Sequence, residues 1–115
     1  MKTLKKIYQE QKDFQKFFFN AKTLSDKERV ALSKENILAI HRELGEVLEN
    51  LPWKPHRTIH KVISHKKLGI ELIDCFKYLL NLFIIWEIPP EKIVELFIKK
   101  SKIVRKRYAK EKPKK

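Results

Sequence analysis

The stretch IELIDCFKYLLNLFIIW, residues 70–86, reads as one apolar helix interrupted by Glu71, Asp74, Lys77 and Asn81. Burying an unpaired carboxylate costs several kcal/mol, so a segment whose only task was to fill a core would not carry two acids three residues apart. The pair at 71 and 74 therefore requires a partner. Most of what the sequence says about fold and function follows from asking what that partner is.

The composition limits the answer. A chain of 115 residues with 43% hydrophobic and 10% aromatic residues can form one domain with a real core. It has only two Gly and five Pro, too few reversals for a sheet protein, which predicts an all-α fold. The single cysteine, Cys75, precludes an internal disulfide and fits a reducing compartment, where it reads as a small buried apolar group. MKTLKKIYQEQKDF at the N-terminus lacks the apolar region and small-residue cleavage site of an export signal, so a cytoplasmic location is expected. The apolar run from Leu68 to Ile88 is broken by Glu71, Asp74 and Lys77, and its longest uncharged piece, Tyr78 to Trp86, is far short of the roughly 20 residues of a membrane span. No membrane partner is expected.

Outward from the opening stretch, the chain divides into helices. Residues 3–20 form a first helix carrying Phe17, Phe18 and Phe19, three consecutive rings that cannot all face one side and so must pack on another element or subunit. SDKE, with Ser25 as N-cap, opens a short helical turn ending near Leu32. Ser33 is then expected to cap a second long helix, with Ile37, Ile40, Leu44, Val47, Leu48 and Leu51 as its apolar stripe. Pro52 ends it, and PWKPHRTIHKVISHKK is a basic loop. The third helix covers about residues 68–87. Pro89 and Pro90 break it, Pro90 suiting the first turn of a fourth helix with Glu91 near its positive end. The expectation is a four- to five-helix bundle with an antiparallel central helix pair: one domain over residues 1–108 and a basic, disordered tail over 109–115.

A second acid pair supplies the partner. ELGE places Glu43 and Glu46 at i and i+3 on helix two, as ELID places Glu71 and Asp74 on helix three. The 24 residues between Glu46 and Glu71 suffice to end one helix, cross a loop and return antiparallel. Four carboxylates would then converge, a donor set suited to Mg²⁺, with Mn²⁺ as the alternative metal. The plainer reading pairs Glu71 with Lys67 and Glu46 with Arg42 on the helix surfaces. The apolar surroundings of Glu71 and Asp74 weigh against it, because a surface pair has no reason to lie in the most apolar helix. His56 and His60, spaced i, i+4, suggest zinc, but without a second cysteine or a nearby acid pattern they read as loop residues.

HRELGEVLENLPWK, IELIDCFKYLL and FIKKSKIVRKRY together resemble the all-α NTP pyrophosphatase superfamily, the MazG-like proteins and dimeric dUTPases, over roughly residues 33–108. Their signature is E-x-x-E followed at similar distance by E-x-x-D. The resemblance implies a MazG-like fold and Glu43, Glu46, Glu71 and Asp74 as catalytic metal ligands. It also implies a metal-activated water that cleaves a nucleoside triphosphate to the monophosphate and pyrophosphate, on a deoxynucleotide such as dUTP. In the late helix, Phe97, Lys100 and Arg107 match the dimeric dUTPases, while Val104 replaces an Asn that helps read the nucleoside and Lys77 stands where His is common.

The basic residues can be placed independently of that resemblance. On helix four Ile93, Phe97, Val104 and Tyr108 share one stripe with Lys100 and Arg107 at its edge, whereas Lys99, Lys102 and Lys106 point away. Lys100 and Arg107 are thus positioned to neutralise triphosphate oxygens. Trp53 and Lys54, directly after the first acid pair, could stack on a base and touch a phosphate; Lys77 completes the substrate-side set. The more conservative role for Trp53 is a lid over the core. An apolar third helix and the Phe17–Phe19 rings exceed what one small core covers, so a homodimer or homotetramer is expected.

The net charge is +13, and residues 99–115 hold ten Lys or Arg against one Glu. This supports the alternative of a small basic helical protein that binds nucleic acid or serves as an interaction module. That alternative leaves the acid quartet unexplained.

Overall fold

The computed structural model describes residues 3–54 and 62–111. Among them are helices α1 (Leu4–Gln15), α2 (Asp26–Glu49), α3 (His65–Ile85) and α4 (Pro90–Glu111), with a 3₁₀ turn at Ala21–Thr23 and no strand. The all-α architecture is the one expected. Each start has a local cause: Thr3 caps α1, Ser64 caps α3, and Ser25 with Glu28 forms the capping box that opens α2. No described helix is long and apolar enough to cross a membrane. His56 and His60 lie outside the described residues.

Two boundaries differ from expectation. The first helix ends at Gln15, and Phe17 to Phe19 turn the chain toward the 3₁₀ segment. α2 also runs unbroken through Leu32 and Ser33. Serine caps helices only when its hydroxyl is free to bind the following amides; here Ser33 Oγ instead accepts the indole N–H of Trp86 at 2.7 Å. A tertiary contact took the place of the cap. At its far end, α4 continues to Glu111, three residues past the domain boundary drawn at 108.

α3 is central because it packs along α2 on one side and α1 on the other. Tyr8, Leu80 and Ile84 form the core, joined by Leu4, Phe19, Ala21, Phe83 and Ile93. Within this apolar region runs a buried chain of amides. Gln11 Nε2 donates to Asn81 Oδ1 at 2.8 Å, Asn81 Nδ2 donates to Asn36 Oδ1 at 2.9 Å, and Asn36 Nδ2 donates to the Leu32 carbonyl at 2.8 Å. One residue of α3 thereby holds both α1 and α2.

The C-terminal end of α3 is tied in the same way. Glu87 takes a left-handed φ of 52°, letting its N–H reach the Ile84 carbonyl at 3.1 Å while the Ile88 N–H reaches the Phe83 carbonyl at 2.8 Å. These two bonds form a Schellman closure, with a glutamate where glycine is usual. The Ile85 carbonyl, left without an intrahelical donor, accepts from the Arg29 guanidinium, which also donates to the Ala21 carbonyl at 2.8 Å. Pro90 then begins α4, whose Ile93 packs on the core. From Val94 to Glu111 every residue except Ser101 is exposed, so most of α4 projects from the bundle. The radius of gyration, 18.2 Å, reflects this; a compact chain of this length has about 13 Å.

Removing the middle of the amide chain tests whether it holds the helices together. Asn81→Ala leaves the buried Gln11 and half-buried Asn36 amides without that partner, and is expected to cost about 1–3 kcal/mol in urea unfolding. A midpoint equal to the wild type's would show that the chain contributes nothing net.

Candidate metal centre

The antiparallel packing of α2 on α3 fixes what the two acid pairs meet. Asn36 is bonded to Asn81, and Ser33 to Trp86. Glu46 lies ten residues after Asn36 and Glu71 ten before Asn81; Glu43 lies seven after and Asp74 seven before. Steps along one helix are matched by equal steps back along the other, so Glu46 falls level with Glu71 and Glu43 level with Asp74. The sequence expectation of two facing pairs thus has a structural basis in the amide register.

The side chains bear this out for three of the four. Carboxylate oxygens of Glu43, Glu46 and Glu71 all lie within 4.8 Å of one another. Asp74 is half-buried one turn beyond Glu71 and stands outside that set. It nonetheless shares the same neighbourhood: burial pushes the Cys75 thiol pKa up, and the negative fields of Glu43, Asp74 and Glu71 push it further. All three of those acids thus act on one buried sulfur at the α2–α3 contact.

Crowding of like charge is visible at Glu46. Its carboxyl is held above the ordinary range chiefly by a hydrogen bond shared with Glu43, then by the charge of Glu43, partial desolvation and the charge of Glu71; Arg42 opposes these. Like charges held close together favour the protonated form, which is the direction of that shift. The surface pairs that would have explained the acids otherwise do not form: Arg42 pairs with Glu43 at 3.3 Å rather than with Glu46, and no ion pair joins Lys67 to Glu71. Glu43 is the recessed member, its side chain 12% exposed beside an Arg42 that is 63% exposed.

The donor set fits a hard divalent ion. Three carboxylates with oxygens within 4.8 Å of one another could close on such an ion by side-chain rotation. The three acids leave other coordination positions for water and phosphate oxygens. A bound cation would relieve the repulsion between these carboxylates.

The substrate-side residues are distributed more widely. Trp53 follows the end of α2, 49% exposed, with Lys54 Nζ 5.3 Å from its ring centroid. The exposure argues against Trp53 as a lid over the core. Lys77 lines a groove between α1 and α3 with Ile7, Gln11, Phe14 and Phe76, around the helix from the acids. Lys100 sits in a shallow depression on α4 beside Phe97, Ser101 and Val104, and Arg107 is exposed one to two turns later. A single chain does not bring these cations together with the carboxylates, because α4 packs chiefly on α1.

Two residues at the site escaped the sequence reading. Tyr78 interacts electrostatically with Arg42, the arginine that pairs with Glu43. Its position four residues after Asp74, on the same helical face, was the available signal. Asn81 was visible as a polar interruption of the apolar helix, but its two amide partners could not be named without the register.

No curated protein and no solved structure matches the chain. A family profile described as dUTPase matches residues 3–111, a span that takes in all four helices and both acid pairs. A match of that extent shows that the chain belongs to this all-helical dUTPase family, related to the MazG-like NTP pyrophosphatases.

Proposed function

We propose that this protein is a Mg²⁺-dependent pyrophosphohydrolase that converts a nucleoside triphosphate and water to the monophosphate and pyrophosphate, acting in the cytoplasm on a deoxynucleotide such as dUTP. The observation that carries the reading is the meeting of Glu43, Glu46 and Glu71 within 4.8 Å. Family membership supports the coarser statement, a nucleotide hydrolase of the dUTPase-like kind. Bound Mg²⁺ would bind triphosphate oxygens and acidify a coordinated water.

The chain's own groups supply the rest. Glu43 pairs with Arg42 at 3.3 Å and also offers a carboxylate oxygen to the group it forms with Glu46 and Glu71. Asp74, level with Glu43 but outside the three converging acids, is the fourth carboxylate of the motif and could orient a water. The indole of Trp53 offers an aromatic surface for a base. Lys100 and Arg107 would meet charge developing on the pyrophosphate leaving group. Val104, in place of an amide, offers no hydrogen bond to a nucleobase, so discrimination for uracil has to come from elsewhere.

Assembly is part of this proposal. The chain exposes 9886 Å² at 13.9 kDa, against about 6,700 Å² for a compact monomer of that mass. The excess of about 3,000 Å² per chain is more than the roughly 1,000–2,500 Å² that each partner of an obligate interface commonly buries. Its apolar part includes Ile70, Ile73, Leu38 and Leu44 near the acids, together with Phe17, Phe18 and Phe97. A homodimer or homotetramer covers these faces and brings α4 cations of one copy within reach of another copy's carboxylates.

Pyrophosphate release from each canonical NTP and dNTP, with Mg²⁺ and with EDTA, tests the reading: release is expected only with metal, and metal-independent release or none at all refutes it. Glu71→Gln should abolish that release with helical content unchanged. Mg²⁺ at ten times its Kd should raise the wild-type melting temperature by about 5 °C or more, but not that of the variant. Turnover at the wild-type rate would remove Glu71 from the ligand set.

Lys100→Ala or Arg107→Ala should lower turnover at least about tenfold, consistent with one charge-assisted contact of roughly 1.5–3 kcal/mol, while Lys106→Ala does little. Equal losses at all three positions would mean a diffuse field. Light scattering at low micromolar concentration should find at least two chains per particle, and a fully active particle of 13.9 kDa would contradict the assembly.

A further inference from the structure

The cations of α4 fall into two groups, and the proposed hydrolysis uses only one. At 100° per residue, Lys99, Lys102, Arg105, Lys106 and Lys110 occupy an arc of about 140° opposite the stripe of Ile93, Phe97, Val104 and Tyr108. All five are exposed, and none makes an ion pair among the described residues. From Lys99 to Glu111 the only acid is Glu111 itself. The acids of α4's first half do not neutralise them, Glu95 being paired with Lys92 at 3.1 Å.

Ordinary reasons for lysine do not account for this face. The helix dipole favours cations only within the last turn, which covers Lys110 but not Lys99 or Lys102. Solubility needs a net charge of magnitude about 2–8 in a small domain, and this chain carries +13. The face spans about 16 Å of helix axis, and a nucleic-acid duplex of that length presents about ten phosphate charges.

We infer that this face of α4 is a sequence-independent docking surface for the phosphate backbone of duplex nucleic acid. An anionic membrane would also attract lysines, but a helix lying on a bilayer must insert its apolar face, and in the proposed assembly another copy covers that face. The basic arc points away from the apolar stripe, so it stays available whatever covers the stripe. Because α4 projects from the bundle and packs on α1, the repelling carboxylates at the α2–α3 contact do not share this surface.

The test is fluorescence anisotropy of the full chain with a labelled 20-base-pair duplex, in EDTA, from 50 to 200 mM KCl. Five phosphate contacts predict a slope of log K against log salt near −4.5, hence a loss of about 500-fold over that range. Replacing Lys99, Lys102, Lys106 and Lys110 together by Gln, a residue of equal helix propensity, should reduce the slope by about 3.6 and leave pyrophosphate release unchanged. The same number of Gln substitutions at Lys5, Lys12, Lys22 and Lys27 serves as the charge-matched control and should alter the slope by less than one. Three results would overturn the inference: no duplex binding at 50 mM KCl, equal losses in the two quadruple variants, or binding to phosphatidylserine vesicles in preference to duplex.

Discussion

Asn81 sets the register on which the rest of the molecule depends. It lies in the most apolar helix of the chain, 5% exposed, and its amide can be satisfied there only by other amides. Apolar side chains would pack almost as well one turn out of step; hydrogen bonds of 2.8 and 2.9 Å to Gln11 and Asn36 would not survive the shift. The polar chain therefore supplies specificity where the hydrophobic contact supplies mainly attraction. Its consequence ten residues away is that Glu46 meets Glu71.

That meeting is unfavourable in itself, since carboxylates held close together repel. The helices stay paired because their other end is held firmly. There Ile84 and Ile85 are almost fully buried, Arg29 binds the Ile85 carbonyl, and Trp86 reaches across to Ser33. Toward the acids the packing thins, with Ile70, Leu72 and Ile73 of α3 exposed. Cohesion is concentrated at one end of the α2–α3 pair and the strained charges at the other, which lets the acidic end adjust around a ligand without loosening the core.

What the sequence disclosed follows the same division. Both acid pairs, their helical spacing and the antiparallel return were readable because they depend on local periodicity and loop length. The continuity of α2 through Ser33 was not, because the hydroxyl serves as a cap or as a tertiary acceptor according to whether Trp86 lies across from it. Of the apolar stripe expected on α2, Val47 is buried and Ile40 and Leu51 are half-buried, but Ile37, Leu44 and Leu48 remain exposed. Periodicity marks a face to be covered without saying which surface covers it. The positions of Lys100 and Arg107 illustrate the limit further: periodicity assigns them a place around α4, but where α4 runs depends on the Pro89–Pro90 turn and the Glu87 backbone.

A chain with an excess of thirteen positive charges could easily have quenched its own acidic cluster, since any lysine reaching the three carboxylates would take the place of a metal ion. Among the described residues only Arg42 forms an ion pair with them, and it does so with Glu43 alone, its guanidinium largely in solvent. The other cations are kept away by geometry. Those of α1 line its own grooves, and those of α4 stand on a helix that leaves the bundle after its first turns. Separating the two signs of charge preserves a site that a divalent cation can still stabilise, and it leaves the opposite charge concentrated on a free helix. Within one chain the projection of α4 thus keeps its cations off the acids, so that any α4 cation serving the site has to come from another copy, as in the proposed assembly.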